Sequence, residues 1–139
     1  MNEPIFVDTS AWIAIINPRD KYHLSAKEFY GDVLAQKRRL LISNLIVSET
    51  YTNLVWKLGH HKAISFLDII EQSSSVHCIW SDQKLEAQAR DILRRYDDQD
   101  FSYTDAVSFA LMQQRELTEA FAFDHHFSVV GFVQFPVGQ

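Results

Sequence analysis

The chain has 139 residues, 47% of them hydrophobic and 22% charged, with a formal net charge of −5. That length makes one domain with enough apolar material for a full core, and the acidic balance argues against a nucleic-acid binder working through a broad basic patch. Cys78 is the only cysteine, which excludes an intramolecular disulfide and a multi-cysteine zinc site and fits a reducing compartment.

Taken from the N-terminus, Met1-Asn2-Glu3-Pro4 lacks the basic and apolar regions of a secretory signal. No later apolar run approaches membrane-spanning length, so the expected location is the cytoplasm. Pro4-Ile5-Phe6-Val7 reads as a buried strand that ends at Asp8. Thr9 or Ser10 can cap the helix that opens at Ala11-Trp12. Asp8 thus stands at the carboxyl end of a strand, where open parallel sheets bind ligands; taken alone it reads equally well as a cap or turn residue. After the turn Asn17-Pro18-Arg19-Asp20, helical periodicity over His23 to Gln36 points Leu24, Phe29, Val33 and Leu34 inward. Lys37-Arg38-Arg39 follows as favourable charge at a helix C-terminus.

Leu40-Leu41-Ile42 is the second strand, and Ser43 or Asn44 caps the next helix. There Val47, Tyr51, Leu54 and Leu58 form an apolar stripe. Glu49 lies off it and by periodicity alone is a solvated surface residue; only its place one turn after a strand makes it a candidate ligand. Asn53 shares its face. A fourth helix runs from about His61 to Gln72, Val76 to Trp80 makes strand three, and Ser81 or Asp82 caps a helix with Leu85, Ala89, Ile92, Leu93 and Tyr96 inward. His60-His61 are adjacent and do not converge as a metal pair.

The acidic loop Asp97-Asp98-Gln99-Asp100 leads into Phe101 to Met112. Thr104 is the expected N-cap of that helix and Asp105 falls in its first turn, where free N–H groups favour a carboxylate. From Ala106 onward the helix is apolar almost all round, which marks it as buried. Glu119 to Phe123 reads as strand four, ending at Asp124, and Gly131-Phe132-Val133 as a short last strand. Alternating strands and helices predict right-handed crossovers and an α/β three-layer sandwich around a mainly parallel five-stranded sheet.

In such a fold Asp8, Asp105 and Asp124 reach one edge of the sheet, with Glu49 as a further candidate and Asp100 as an accessory. Converging carboxylates repel unless protons or a cation neutralise them. Oxygen-only donors suit Mg²⁺ or Mn²⁺, and such a site can polarise a phosphoryl oxygen and activate water. The chemistry points to phosphodiester hydrolysis.

Four stretches carry a family resemblance along the whole chain: Val7-Asp8-Thr9-Ser10-Ala11-Trp12, Ser48-Glu49, Ser102-Tyr103-Thr104-Asp105-Ala106 and Phe123-Asp124-His125-His126-Phe127. In order and form they resemble the motifs of PIN domains, and are most similar to the VapC-type toxins of toxin–antitoxin modules. The resemblance implies a Mg²⁺- or Mn²⁺-dependent endoribonuclease with Asp8, Glu49, Asp105 and Asp124 as its acidic site. It implies that Thr9 or Ser10 orients water or a neighbouring carboxylate, with Asp100 and His125 close by. It also implies a homodimer held in check by an antitoxin protein. The rival reading is a Mg²⁺-binding module without nuclease turnover, either a receiver-like domain or a PIN fold that only binds; a receiver's usual lysine is missing after Asp105.

Overall fold

The computed structural model describes residues 3–138. In chain order the elements are β1 (Ile5–Val7), α1 (Thr9–Ile16), α2 (His23–Ala35), β2 (Leu40–Ser43), α3 (Asn44–Leu58), α4 (His60–Gln72), β3 (Val76–Ile79), α5 (Gln83–Arg95), α6 (Tyr103–Gln114), β4 (Glu119–Phe121), α7 (His126–Val129) and β5 (Val133–Phe135). The strands form one sheet in the order β3-β2-β1-β4-β5, and every adjacent pair is parallel. A receiver-like domain would have the order 2-1-3-4-5, so the topology departs from that rival.

The three short inner strands are buried along nearly their whole length, as parallel strands covered on both faces must be. α1 packs on α2 and α3, and α3 on α4, while α5 packs on α6; together they make the two helical layers. Aromatic side chains fill the space on each side of the sheet. Trp12 meets Phe66 and Tyr30 edge-on at 5.5 and 5.9 Å between ring centroids. On the α6 side Phe109 meets Phe127 at 5.0 Å, and Phe127 lies 6.1 Å from Phe6. α6 is buried from Asp105 through Met112, in keeping with its apolar circumference.

Several local expectations shift. Leu24 is 80% exposed and does not join the core; Val33 does, with Phe29 and Leu34 half-buried against it. β4 stops at Phe121, two residues short of the expected end. β5 starts at Val133, because Gly131 adopts φ +100 in the turn after α7 and left-handed backbone cannot continue a strand. Arg38 does not act on the end of α2: it forms an ion pair of 2.8 Å with Glu119 at the start of β4.

The sheet reverses direction between β1 and β4. From β1 the chain builds outward through β2 to β3, then crosses back to β4 and β5. The crevice above the carboxyl ends of β1 and β4 is a topological switch point, the place where open α/β sheets bind ligands.

Candidate active site

Asp8 follows the last residue of β1 and is the N-cap of α1, the role expected of Thr9 or Ser10. Its backbone N–H donates to the Phe121 carbonyl of β4, which fixes it at the switch point. Its Oδ2 accepts from the Ser10 N–H at 3.2 Å and from the Ser10 hydroxyl at 2.7 Å. The same hydroxyl accepts from Phe123 N–H at 3.0 Å. Ser10 thus ties the segment after β4 to the carboxylate of β1. Thr9 is buried beneath, accepting from the Thr50 hydroxyl of α3 at 3.1 Å.

Asp105 is placed by the start of α6. Ser102, not Thr104, is the N-cap: its hydroxyl accepts from Asp105 N–H, and Asp105 Oδ2 accepts from Ser102 N–H, each at 3.0 Å. This capping box satisfies two free amide groups at once. The capping hydroxyl must sit three residues before its partner amide, and Ser102 does so for Asp105. Thr104 faces a neighbouring shallow depression with Leu45 and Thr52 instead of the central groove.

The groove above the sheet has a volume of about 500 Å³. Asp8, Glu49, Asp105 and Asp124 all line it, as do Thr9, Ser10 and the exposed Asp100. His125 does not: its side chain is 79% exposed and turned to an adjoining hollow. The neighbouring histidine takes the inner place. Asp124 Oδ1 accepts from His126 N–H at 3.0 Å, a local turn that swings the ring inward. His126 Nδ1 then donates to Asp105 Oδ2 at 3.0 Å and lies 3.2 Å from Asp124 Oδ1. Nothing in the adjacent pair His125-His126 tells from sequence which one turns in; the preceding Asp, able to bond two residues on, is the available signal. Asp20, Tyr22, Asn53 and Lys57 also line the groove; of these, the sequence points to Asn53, which shares a helical face with Glu49, and to Lys57 as a candidate RNA contact alongside Arg19 and Lys21, while Asp20 and Tyr22 carry no such signal.

The electrostatics are lopsided. Burial pushes the Asp8 carboxyl up to about 7, opposed by the Ser10 hydroxyl and reinforced by the negative charges of Asp105 and Glu49. A carboxylate held that high at the floor of an acidic groove favours a proton or a cation. Both Ser10 bonds fall on Oδ2 of Asp8, and both donors to Asp105 fall on its Oδ2. The remaining oxygens, with those of Glu49 and Asp124, make a hard-donor set suited to Mg²⁺ or Mn²⁺. Ligand atoms of Asp124, His125 and His126 also lie within 4.8 Å of one another, but His126 Nδ1 is already committed to the carboxylates, which makes that trio a poorer chelate.

Comparison with known proteins gives a consistent result. The PIN domain family matches residues 5–133. The 23S rRNA-specific endonuclease VapC20 of Mycobacterium tuberculosis is 37% identical over 130 residues, 94% of this chain and 96% of that protein. Its crystal structure, described as that of a sarcin-ricin loop cleaving toxin, superposes with a TM-score of 0.84 at 38% identity over 93% of this chain and 96% of the other. A VapC ribonuclease of Archaeoglobus fulgidus is 27% identical over 88% of this chain and 78% of its own length. VapBC2 from Rickettsia felis, solved bound to a promoter DNA fragment, shares the fold alone: TM-score 0.68 at 16% identity, covering 94% of this chain and 96% of that one.

Proposed function

The chain belongs to the PIN-domain family, and from that premise we propose that it is a metal-dependent endoribonuclease, the toxin of a toxin–antitoxin pair. The observation that carries the reading is Asp8. A carboxyl buried at a topological switch point, raised to about 7, and facing Asp105 and Glu49 is unfavourable for the fold and useful for binding a cation.

Asp8, Glu49, Asp105 and Asp124 would hold Mg²⁺ or Mn²⁺. When bound, such an ion supplies Lewis acidity toward a phosphoryl oxygen and lowers the pKa of a water for in-line attack. The residues around it do the positioning. Ser10 fixes Asp8 and the segment before Asp124 in one network. His126 holds Asp105 against Asp124. The capping box locks the Asp105 rotamer from the helix side, so the carboxylates are set before substrate arrives. Hydrolysis then forms a bond from water oxygen to phosphorus and breaks the bond to the leaving ribose oxygen.

Among the described residues no helix is long and apolar enough to cross a membrane, which fits the cytoplasmic location proposed here. A cognate antitoxin and a homodimer complete the reading; the VapBC assemblies of the same fold support the first. The test is cleavage of a mixed RNA pool by purified protein with Mg²⁺ or Mn²⁺, with EDTA, and with Asp8→Asn. Cutting that needs the metal and vanishes in the variant is expected. Undiminished cutting by Asp8→Asn overturns the assignment.

A further inference from the structure

α3 carries more than one ligand into the groove. Glu49, Asn53 and Lys57 follow one another at four-residue spacing and all line it, so they form one ridge along the helix. Trp56 falls seven residues after Glu49. Two turns of helix bring it back to the same angular position, about 10 Å further along the axis. The ridge therefore runs from a carboxylate through an amide to an ammonium group, with the Trp56 indole beside its far end and outside the groove's lining.

Trp56 is 84% exposed. Among the described residues its ring meets no other ring and no cation, unlike Trp12, which is buried between Tyr30 and Phe66. An exposed indole often marks a protein interface. Here its helical neighbours one turn back are Thr52 and Asn53, and one turn ahead the helix ends at Gly59. The residues one turn to either side of it, Thr52, Asn53, Gly59 and His60, do not extend the indole into an apolar stripe. Lys57, for its part, is among the described residues the single lysine or arginine lining an otherwise acidic groove. Arg19 does not line it, and Lys21 stacks on the Tyr22 ring at 4.9 Å.

We propose that Trp56 and Lys57 form a subsite for an unpaired nucleotide of the RNA flanking the cleaved bond, with the indole stacking on the base and the ammonium group pairing a phosphate. Stacking needs a base freed from its helix, so the subsite selects single-stranded or looped RNA over duplex. Lysine offsets the repulsion that the carboxylates impose on the incoming strand at that end of the groove. The nucleic-acid identity of the occupant rests on the ribonuclease reading.

The test uses Asp8→Asn protein, which retains RNA uncut, and a short single-stranded RNA as probe, with the same sequence in duplex as comparison. Trp56→Ala should weaken single-strand binding about tenfold, the range for one lost base stack, while Trp56→Phe keeps most of it. Lys57→Ala should reduce the salt dependence by roughly one phosphate contact. Quenching of tryptophan fluorescence by the RNA should vanish in Trp56→Ala and persist in Trp80→Ala, whose indole is also exposed but lies beside the start of α3, where Ser81 N–H meets Asn44. Unchanged affinity and quenching in Trp56→Ala overturn the subsite. So does loss of a sedimenting dimer in that variant with RNA affinity intact, which would assign the indole to a second copy. With Asp8 restored, cleavage with an unaltered KM in both variants removes the subsite and leaves the nuclease standing. Trp56-dependent quenching without any cleavage by the Asp8 protein removes the nuclease and leaves the subsite standing.

Discussion

The two ends of the sheet handle charge in opposite ways. At the amino ends of β1 and β4 the charges of Arg38, Glu119 and Glu3 are each held by a partner. Arg38 pairs with Glu119 at 2.8 Å and donates through Nε to the Glu3 carbonyl at 2.9 Å. The Glu3 carboxylate accepts from the Thr118 amide and hydroxyl at 3.1 and 3.2 Å. At the carboxyl ends the acidic groups face one another, with one histidine between two of them and one lysine at a distance. Charges at the first end hold strands together. At the second, burial sets the Asp8 carboxylate against the fold, and a group strained in that way is a mark of a functional site more than of a structural one built from the same residue types.

Four measurements sharpen or break this contrast. The largest effect belongs to the carboxyl end. Asp105→Asn should lower RNA cleavage by about a hundredfold or more, since a lost metal ligand forfeits several kcal/mol of transition-state stabilisation; the capping box survives because Asn can still accept from Ser102 N–H. A single-turnover rate near that of the unaltered protein would break the comparison.

The next effect runs the other way. Asp8→Asn should stabilise the metal-free protein at pH 8, by an amount on the order of 2–4 kcal/mol. The sign follows from linkage. The folded pKa, about 7, lies above the unfolded value of 3.8, so the folded state holds the proton more tightly. Wild-type stability contributed by this group is therefore greatest at low pH and falls as pH rises from about 4 through 7. The advantage of Asn should be full above pH 7 and gone near pH 4, measured by urea unfolding in EDTA. An advantage independent of pH would mean that the Asp8 charge is not its source.

At the amino end the same kind of truncation should destabilise. Arg38→Ala should cost about 1–3 kcal/mol, because the guanidinium is mostly buried, with 11% of its side chain exposed, and its removal leaves Glu119 without its partner. A gain in stability there would erase the contrast. The smallest effect is a thermal shift: saturating Mn²⁺ or Mg²⁺ should raise the midpoint of the wild-type protein by a few degrees through preferential binding to the folded state. Asp8→Asn should move much less, and equal shifts would place the ion elsewhere.

Local chemistry made much of this legible. The run Ile5-Phe6-Val7 before Asp8 and the all-round apolar α6 after Asp105 announced buried elements with a carboxylate at one end, because burial leaves a compositional mark. The errors fell where the deciding partner is distant in sequence or where two neighbours are equivalent. Leu24 sits on a helix with the right period, but no element covers its side. Ser102 outcompeted Thr104 because the capping geometry counts back from an amide, not from the first apolar residue. His126 outcompeted His125 because Asp124 turns the chain.

By itself the sequence determined the element order, the α/β class and the set of acidic residues, since hydrophobic period and turn chemistry are local properties of the chain. The strand order did not follow from them. The return from β3 to the far side of β1 is a choice among allowed crossovers, and it alone creates the crevice in which Asp8 and Asp124 meet. Tertiary structure likewise decided which surface residues join the site. Glu49, Asn53 and Lys57 form a polar face on α3 in any fold; they become the wall of a groove because α6 and β1 bring Asp105 and Asp8 opposite to them.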